Sequence, residues 1–312
     1  MPTPNWTTAV DDAAYKNDID ASIADHETRV SSIESYLIDK FSAWSQFGNE
    51  TAVASSFPRV ATLGETTIAY IDPGVGGLQA YSLASETWNA TGNLLAIGGL
   101  AIPSIAGLSS TEIAVHDTGT GELRKYVFDG TDWSQMGNGL ALAIAGVGIT
   151  ALTSSTVAVS NITDDTLRTY TFDGADWSQV GNSFSLPAAV GNTSTAALDS
   201  STIAFISNDN EQLTTYSFDG TDWSQVGSSL NITGIAGSVT ISALSSTRIV
   251  FSDPGNGEIR TYEFASSAWS LLGTGLSLGA TQELGLSAIT SSRIAYVDNL
   301  TDVLKTYDFG LL

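Results

Sequence analysis

The chain has no cysteine among its 312 residues, which excludes a disulfide framework and a thiolate metal site. It has no run of about 18 apolar residues, so no membrane-crossing helix is expected. Histidine is confined to His26 and His116. Neither belongs to a spaced ligand set, and a structural role suits both. Glycine-rich phosphate loops, zinc signatures and nucleophile elbows are missing. The start, Met1-Pro2-Thr3-Pro4, lacks a basic region and an apolar core, so a cleaved secretory signal is not expected. Basic residues are scarce: 11 lysines and arginines stand against 33 acids, a net charge of −22. Such a surface repels nucleic acid, whose binding needs phosphate neutralisation, and disfavours anionic membranes. It favours solubility, and it suits high salt, where repulsion between acids is screened.

Tryptophan is spaced regularly. Trp44, Trp88, Trp133, Trp177, Trp223 and Trp269 follow one another at steps of 44, 45, 44, 46 and 46 residues. A period of about 40–50 residues marks a repeat architecture. Tyr81, Tyr126, Tyr170, Tyr216 and Tyr262 each stand seven residues before a tryptophan. Tyr307 continues the series without a tryptophan after it, and Trp44 has Leu37 where its tyrosine would be. The two orphans complement each other. The simplest reading is a ring in which the segment around Trp44 completes the blade that contains Tyr307.

Each repeat holds four short strand signals. In the third copy these are Ile149–Leu152, Val157–Val159, Leu167–Phe172 and Trp177–Val180, with Asp173-Gly174 as a hairpin turn. The second strand repeats an apolar triplet, such as Ile113-Ala114-Val115 and Ile249-Val250-Phe251, as suits a strand buried on both faces. The first strand carries Thr62, Gly107, Ala151, Ala197, Ala243 and Ala288 at one equivalent position, small enough for strands crowded round an axis. Counting copies predicts an all-β, six-bladed propeller of four-stranded blades over 41–312, closed by an N-terminal strand. Over that span the pattern resembles β-propellers of the WD40 and kelch kind, without their Gly-His…Trp-Asp or double-glycine signatures.

Residues 1–40 have a different period. Ile19, Ile23, His26, Val30, Ile33 and Leu37 step by fours and threes, a heptad stripe interrupted once by histidine. It predicts a helix over about 10–37, on the order of 40 Å long. Isoleucine on both seam positions leans toward a homotrimer; packing of the stripe on the propeller flank is the alternative. The stretch Asp11-Asp12-Ala13-Ala14-Tyr15-Lys16-Asn17-Asp18-Ile19-Asp20-Ala21 resembles the N-terminal region of tailed-phage fibre and appendage proteins. That resemblance implies a docking peptide, a trimerising helix and a distal β domain. It places the protein on a virion, with other virion proteins as partners of the N-terminal segment and a host-surface glycan or protein as a further partner. A cell-surface or secreted carbohydrate-binding propeller is the alternative.

The turn Ser217-Phe218-Asp219-Gly220-Thr221-Asp222-Trp223 resembles the Asp-box of sialidases, one residue shorter before the tryptophan. The resemblance implies structural hairpins, since that family's boxes lie away from the active site. Arg124, Arg168 and Arg260 occupy equivalent repeat positions, which suggests a ladder on an outer strand paired with nearby acids. The acidic and glycine-rich loops between second and third strands, such as Asp253–Glu258, could hold calcium, but ordinary turn chemistry accounts for their composition. No catalytic residue, metal site or cofactor is therefore expected, and the sequence reading is of a protein that is not an enzyme, with a sialidase-like glycosidase as the remaining enzymatic alternative.

Overall fold

A computed structural model of the chain describes residues 20–30, 42–53, 56–142, 147–187, 193–235, 237, 239–253, 255–278, 284–298 and 300–311. The first strand, β1 (Ser42–Ala52), precedes the first complete blade. Blade I comprises β2 (Arg59–Gly64), β3 (Thr67–Asp72), β4 (Gly77–Ala84) and β5 (Thr87–Ala96). Blade II comprises β6 (Pro103–Gly107), β7 (Glu112–Asp117), β8 (Glu122–Phe128) and β9 (Trp133–Ala141). Blade III holds β10 (Val147–Ala151), β11 (Thr156–Asn161), β12 (Thr166–Phe172) and β13 (Trp177–Ser185). Blade IV holds β14 (Thr193–Ala197), β15 (Thr202–Ser207), β16 (Gln212–Phe218) and β17 (Trp223–Asn231). Blade V holds β18 (Thr240–Ala243), β19 (Arg248–Asp253), β20 (Glu258–Ala265) and β21 (Ala268–Ser277). Blade VI joins β22 (Leu284–Thr290), β23 (Arg293–Asp298) and β24 (Val303–Leu311) to β1.

The ring closes as the orphan residues predict. β1 pairs antiparallel with β24, setting Trp44 opposite Phe309 and Gln46 opposite Tyr307. Each innermost strand touches those of both neighbouring blades, β2 and β22 included. In every blade the second strand is buried along its length after its first residue. Its apolar run is covered on both faces by adjacent blades, which is why alternation gives way to continuous hydrophobicity there.

The tryptophans hold blade to blade. Each lies in a fourth strand, buried against the third strand of the preceding blade. At four interfaces its Nε1–H donates to a threonine hydroxyl across the seam: Trp44 to Thr261 (3.0 Å), Trp88 to Thr306 (2.8 Å), Trp223 to Thr169 (3.0 Å) and Trp269 to Thr215 (2.9 Å). The accepting threonine always precedes the repeat's tyrosine. At the two seams of blade II that position is Ala80 or Lys125, and the buried Nε1–H groups of Trp133 and Trp177 have no partner. Lys125 instead turns its Nζ to Glu112 (3.1 Å) and lies over the Phe172 ring.

A second tie runs along the outer edge. The fourth strand shifts register after its first half, as between Leu167 and Thr169 in blade III. Gly181 sits at the shift with φ 70°, and a Cβ there would lie 2.4 Å from Thr221 O of the next blade. Only glycine supplies both that conformation and that approach. The following Asn182 then donates its main-chain N–H to Thr221 O (2.7 Å) and its Nδ2 to Asp222 (2.9 Å). Gly48 and Asn49 do the same from β1, reaching Glu86 O (2.8 Å) and Thr87 Oγ1 (3.0 Å). This clasp is why the fourth strands run several residues beyond the Trp-to-Val segment that the sequence marks.

The Asp-box-like turns are hairpins, as the resemblance implies. Asp173 Oδ1 accepts from the N–H groups of Ala175 and Asp176, both at 2.8 Å. Such donors hold the carboxyls of Asp129, Asp173 and Asp219 below the usual aspartate range. Arg124 and Arg260 pair with Glu122 and Glu258, and Arg168 with Asp164. The acid pairing is as anticipated, and the three arginines stand at equivalent positions of the third strands β8, β12 and β20.

At the N-terminus a helix over 20–30 is described, and every residue in it is exposed. Ile23 (51%) and Val30 (39%) lie seven residues apart on it, with His26 between. Ile19, Ile33 and Leu37 lie outside the described residues, as does the rest of the expected helix.

His116 is fully buried in β7, where Ile71, Ile206 and Val297 stand in other blades. Burial pushes its imidazole down to about 4, against the opposing pull of Asp117 and the Leu142 main chain. The folded chain therefore binds fewer protons than the unfolded one between the ordinary histidine value and about 4. Stability from this group is full above that window and is lost as pH falls through it, on the order of 3 kcal/mol in total. His116→Ile is expected to flatten the pH dependence of the unfolding midpoint in this range; an unchanged slope would show that carboxylates alone set it. A second expectation concerns blade II. Ala80→Thr restores an acceptor for Trp133 and is expected to raise the unfolding free energy by about 1 kcal/mol, read from urea titrations. A decrease would mean the seam has no room for the hydroxyl.

Candidate functional site

The inner strands surround an axial channel with a cavity of about 340 Å³. Its wall is made of small residues, including Thr62, Gly107, Ala151, Ala197, Ala243 and Ala288, because six strands converge on the axis and larger side chains would fill it. This was legible in the sequence. The hydroxyls one or three positions earlier were not singled out, and they tie the inner strands together. Thr150 Oγ1 accepts Ala197 N–H (2.9 Å), Ser194 Oγ accepts Ile241 N–H (3.0 Å), and Ser242 Oγ accepts Ala288 N–H (2.9 Å). Ser287 Oγ accepts Thr62 N–H at 3.1 Å. The signal available was the recurrence of Ser or Thr in place of alanine beside the small residue. Among the described residues lining the channel, Arg59 is the only charged one; its Nη1 donates to Pro58 O at 2.9 Å.

The channel opens toward the face that carries the loops between second and third strands and the connections from one blade to the next. The blade-to-blade connections range from five to eight residues. Beneath this face lies a ring of buried polar residues at the end of each second strand: Asp72, Asp117, Asn161, Ser207, Asp253 and Asp298. The acids are occupied by local donors. Asp117 accepts from Ala101 N–H (2.8 Å) and Thr120 N–H (3.0 Å), and Asp298 from Leu300 N–H and Thr301 Oγ1, both at 2.9 Å. Asp72 accepts from Ser56 N–H (2.8 Å) and from Gly74 N–H. These carboxylates fasten loops, and among the described residues no group of three or more acids and histidines has metal-holding geometry.

Blade IV breaks the ring. Its residue is Ser207, whose buried Oγ has no partner; Asn208 Oδ1, next in the chain, and Thr195 Oγ1, on the inner strand β14, are likewise unpaired. On the other side of the axis the same face is apolar. Phe57, Ile102 (45% exposed) and Leu300 (54%) stand in the connections and loops of blades I, II and VI. Among the described residues the loop face is thus amphiphilic, with exposed apolar side chains on the side of blades VI, I and II and unpaired polar oxygens on the side of blade IV.

The sequence-derived closure residues, Trp44 and Tyr307, meet in one buried cluster. Ile23, His26 and Val30 are not among the residues that line the channel.

No family model matches the chain, and no curated protein matches it. Solved structures share its fold. AofleA from Arthrobotrys oligospora aligns with a TM-score of 0.60 at 10% identity, over 86% of this chain and 90% of that one. The SapL1 lectin in complex with α-methyl fucoside aligns at 0.54 and 14% identity, over 79% and 93%. A catalytically inactive virginiamycin B lyase from Staphylococcus aureus, solved with quinupristin, aligns at 0.55 and 10% identity, over 85% and 99%. The expectation of a protein that is not an enzyme is corrected by the last of these. A lyase is built on this architecture, so the ring does not separate binding from catalysis. At these identities the likeness establishes the fold, a six-bladed β-propeller with lectins and lyases among its structural neighbours.

Proposed function

We propose that the protein is a binding platform for a surface glycan, displayed on an oligomeric stalk as a virion appendage. The observation that carries the binding reading is the amphiphilic loop face around the channel mouth. Strands repeat from blade to blade, while the connections on this face differ in length and composition. Variable loops on a rigid scaffold are where recognition concentrates. Exposed Phe57, Ile102 and Leu300 on a chain of net charge −22 are a further sign of a contact surface. A sugar suits such a face, since it offers C–H patches on one side and hydroxyls at its edge. A lectin among the structural neighbours supports the same reading.

The oligomeric part rests on the helix over 20–30. An isolated helix of this length is marginal in water, and its exposed Ile23 and Val30 need a covering. Further copies of the same heptad stripe provide one. Placement on a virion rests on the order of the chain: acidic start, short helix, then a repetitive β domain.

Light scattering of the full chain is expected to give three times the 32.5 kDa chain mass, and one times that mass for Ile23→Asp combined with Val30→Asp. A wild-type monomer would remove the stalk. On a glycan array the wild type is expected to bind a restricted set, with Ile102→Ser and Phe57→Ser weakening it about tenfold, roughly 1.4 kcal/mol. A blank array would retire the glycan reading. Immunogold microscopy of particles from the native source tests the virion placement; unlabelled particles would remove it and leave the binding reading standing.

A further inference from the structure

We propose that Asn256 is a self-modification site: the main-chain nitrogen of Gly257 attacks its carboxamide, the residue becomes aspartate or isoaspartate, and the change releases the connection between blades IV and V. The site is independent of the platform reading.

Asparagine stands directly before glycine twice in the chain, at Asn138-Gly139 and Asn256-Gly257. The pairing matters because the attacking nitrogen belongs to the next residue, and glycine has no Cβ to hinder its approach. The second pair lies in the loop from β19 to β20. Every loop of this kind has one residue at positive φ: Gly76, Gly121, Asp165, Glu211, Gly257 and Asp302, between 49° and 68°. Only blade V sets an asparagine before a glycine at that position.

The two pairs are held differently. Asn138 lies within β9, with its N–H on Ala175 O (2.7 Å) and its Nδ2 on Asp176 (2.9 Å). Ring closure there has to turn a strand residue and break the clasp to blade III. Asn256 is exposed and sits in a turn, outside both strands. Its N–H reaches Asp253 Oδ1 at a long 3.3 Å. Its Nδ2 donates to Asp253 Oδ2 (2.6 Å) and to Gly234 O (2.5 Å). Gly234 is itself exposed, so water competes for these bonds and the side chain is freed without unzipping a ladder.

In the reaction a bond forms between the Gly257 nitrogen and Asn256 Cγ, and the Cγ–Nδ2 bond breaks. The proton lost by the Gly257 nitrogen leaves with Nδ2 as ammonia, and a succinimide remains. Water then adds to either carbonyl carbon of that ring and opens it, to aspartate by one route and isoaspartate by the other. Nothing is oxidised or reduced. What the residue loses is its donor. A carboxylate only accepts, and the groups that faced Nδ2, the Asp253 carboxylate and Gly234 O, are acceptors too. Gly234 stands in the connection from β17 to β18, where its N–H donates to Glu211 of blade IV (2.9 Å) and its carbonyl receives Asn256 of blade V. Conversion cuts the second tie and leaves the first.

The test ages the full chain in mildly alkaline buffer, folded and in urea, and maps peptides that separate asparagine, aspartate and isoaspartate. In the folded chain Asn256 is expected to convert while Asn138 stays intact; in urea both convert. Asn256 intact in the folded chain while urea converts it would overturn the site, and so would Asn138 converting as fast as Asn256 in the folded chain. The release is read by hydrogen exchange across 232–235. Exchange is expected to quicken about fivefold, the scale of one hydrogen bond, in the aged wild type and in fresh Asn256→Asp. Unchanged exchange in both would overturn the release. Asn256→Gln, which keeps the donor and closes a ring far less readily, is expected to hold its exchange rate through ageing. Acceleration in that variant would show that ageing acts elsewhere and would overturn the assignment.

Discussion

The structure depends on a tryptophan that one blade supplies and its predecessor buries. Each indole lies at the seam: its ring lies beside a side chain of its own third strand, as Trp223 does beside Phe218, and packs with apolar residues of the preceding blade, while at four seams its N–H reaches a threonine of that blade's third strand. A single blade would expose this surface, and an open row of blades would leave one end uncovered. Closure is therefore a requirement of burial. The chain meets it by placing Trp44 ahead of the first full blade, so that β1 completes blade VI and the last seam is chemically like the others. The same arrangement removes a free strand edge that would otherwise invite pairing with other chains.

Much of this was legible before any coordinates. The tryptophan period, the apolar triplets and the unpaired Trp44 and Tyr307 are one-dimensional traces of burial that recurs at a fixed spacing. The fold follows from them because a repeat cannot bury its faces alone. The clasp at Gly181 and Asn182 was less legible, since its partner lies about 40 residues ahead in another blade, and glycine at a register shift reads in one sequence like any turn residue. The threonines that receive the indoles were passed over because a threonine in a strand is unremarkable by propensity. The axial hydroxyls escaped for a related reason: serine, threonine and alanine interchange there by size, and what separates them is a bond to the neighbouring strand. Stripe positions Ile23 and Val30 could be read from spacing, and both are exposed on the described helix.

The loop face owes its character to the ring beneath it. Buried carboxylates such as Asp117 and Asp298 draw loop N–H groups inward and fix the turns, so variation in the connections does not loosen the strands. Blade IV departs from this with Ser207 and Asn208 in place of a satisfied acid. Where natural sequences break their own local rules, the break tends to fall at functional or strained places, and here it coincides with the polar side of the channel mouth. Blade II departs differently. Ala80 and Lys125 leave two indoles unsatisfied, so its two seams rely on apolar packing, the outer clasps of Asn93 and Asn138, and the Lys125–Phe172 contact.

The closing strand has a mechanical side. β1 is the first described strand after the N-terminal segment, so tension carried along the chain from that segment passes to the disc through Ser42. Drawn along its own axis, β1 resists in shear, with its pairing to β24 loaded together rather than bond by bond. The Trp44 indole anchored in blade V and the Asn49 clasp on blade I act as cross-pins on either side. A load applied at the far face of the disc would pull first on this strand, which is pinned to both neighbouring blades.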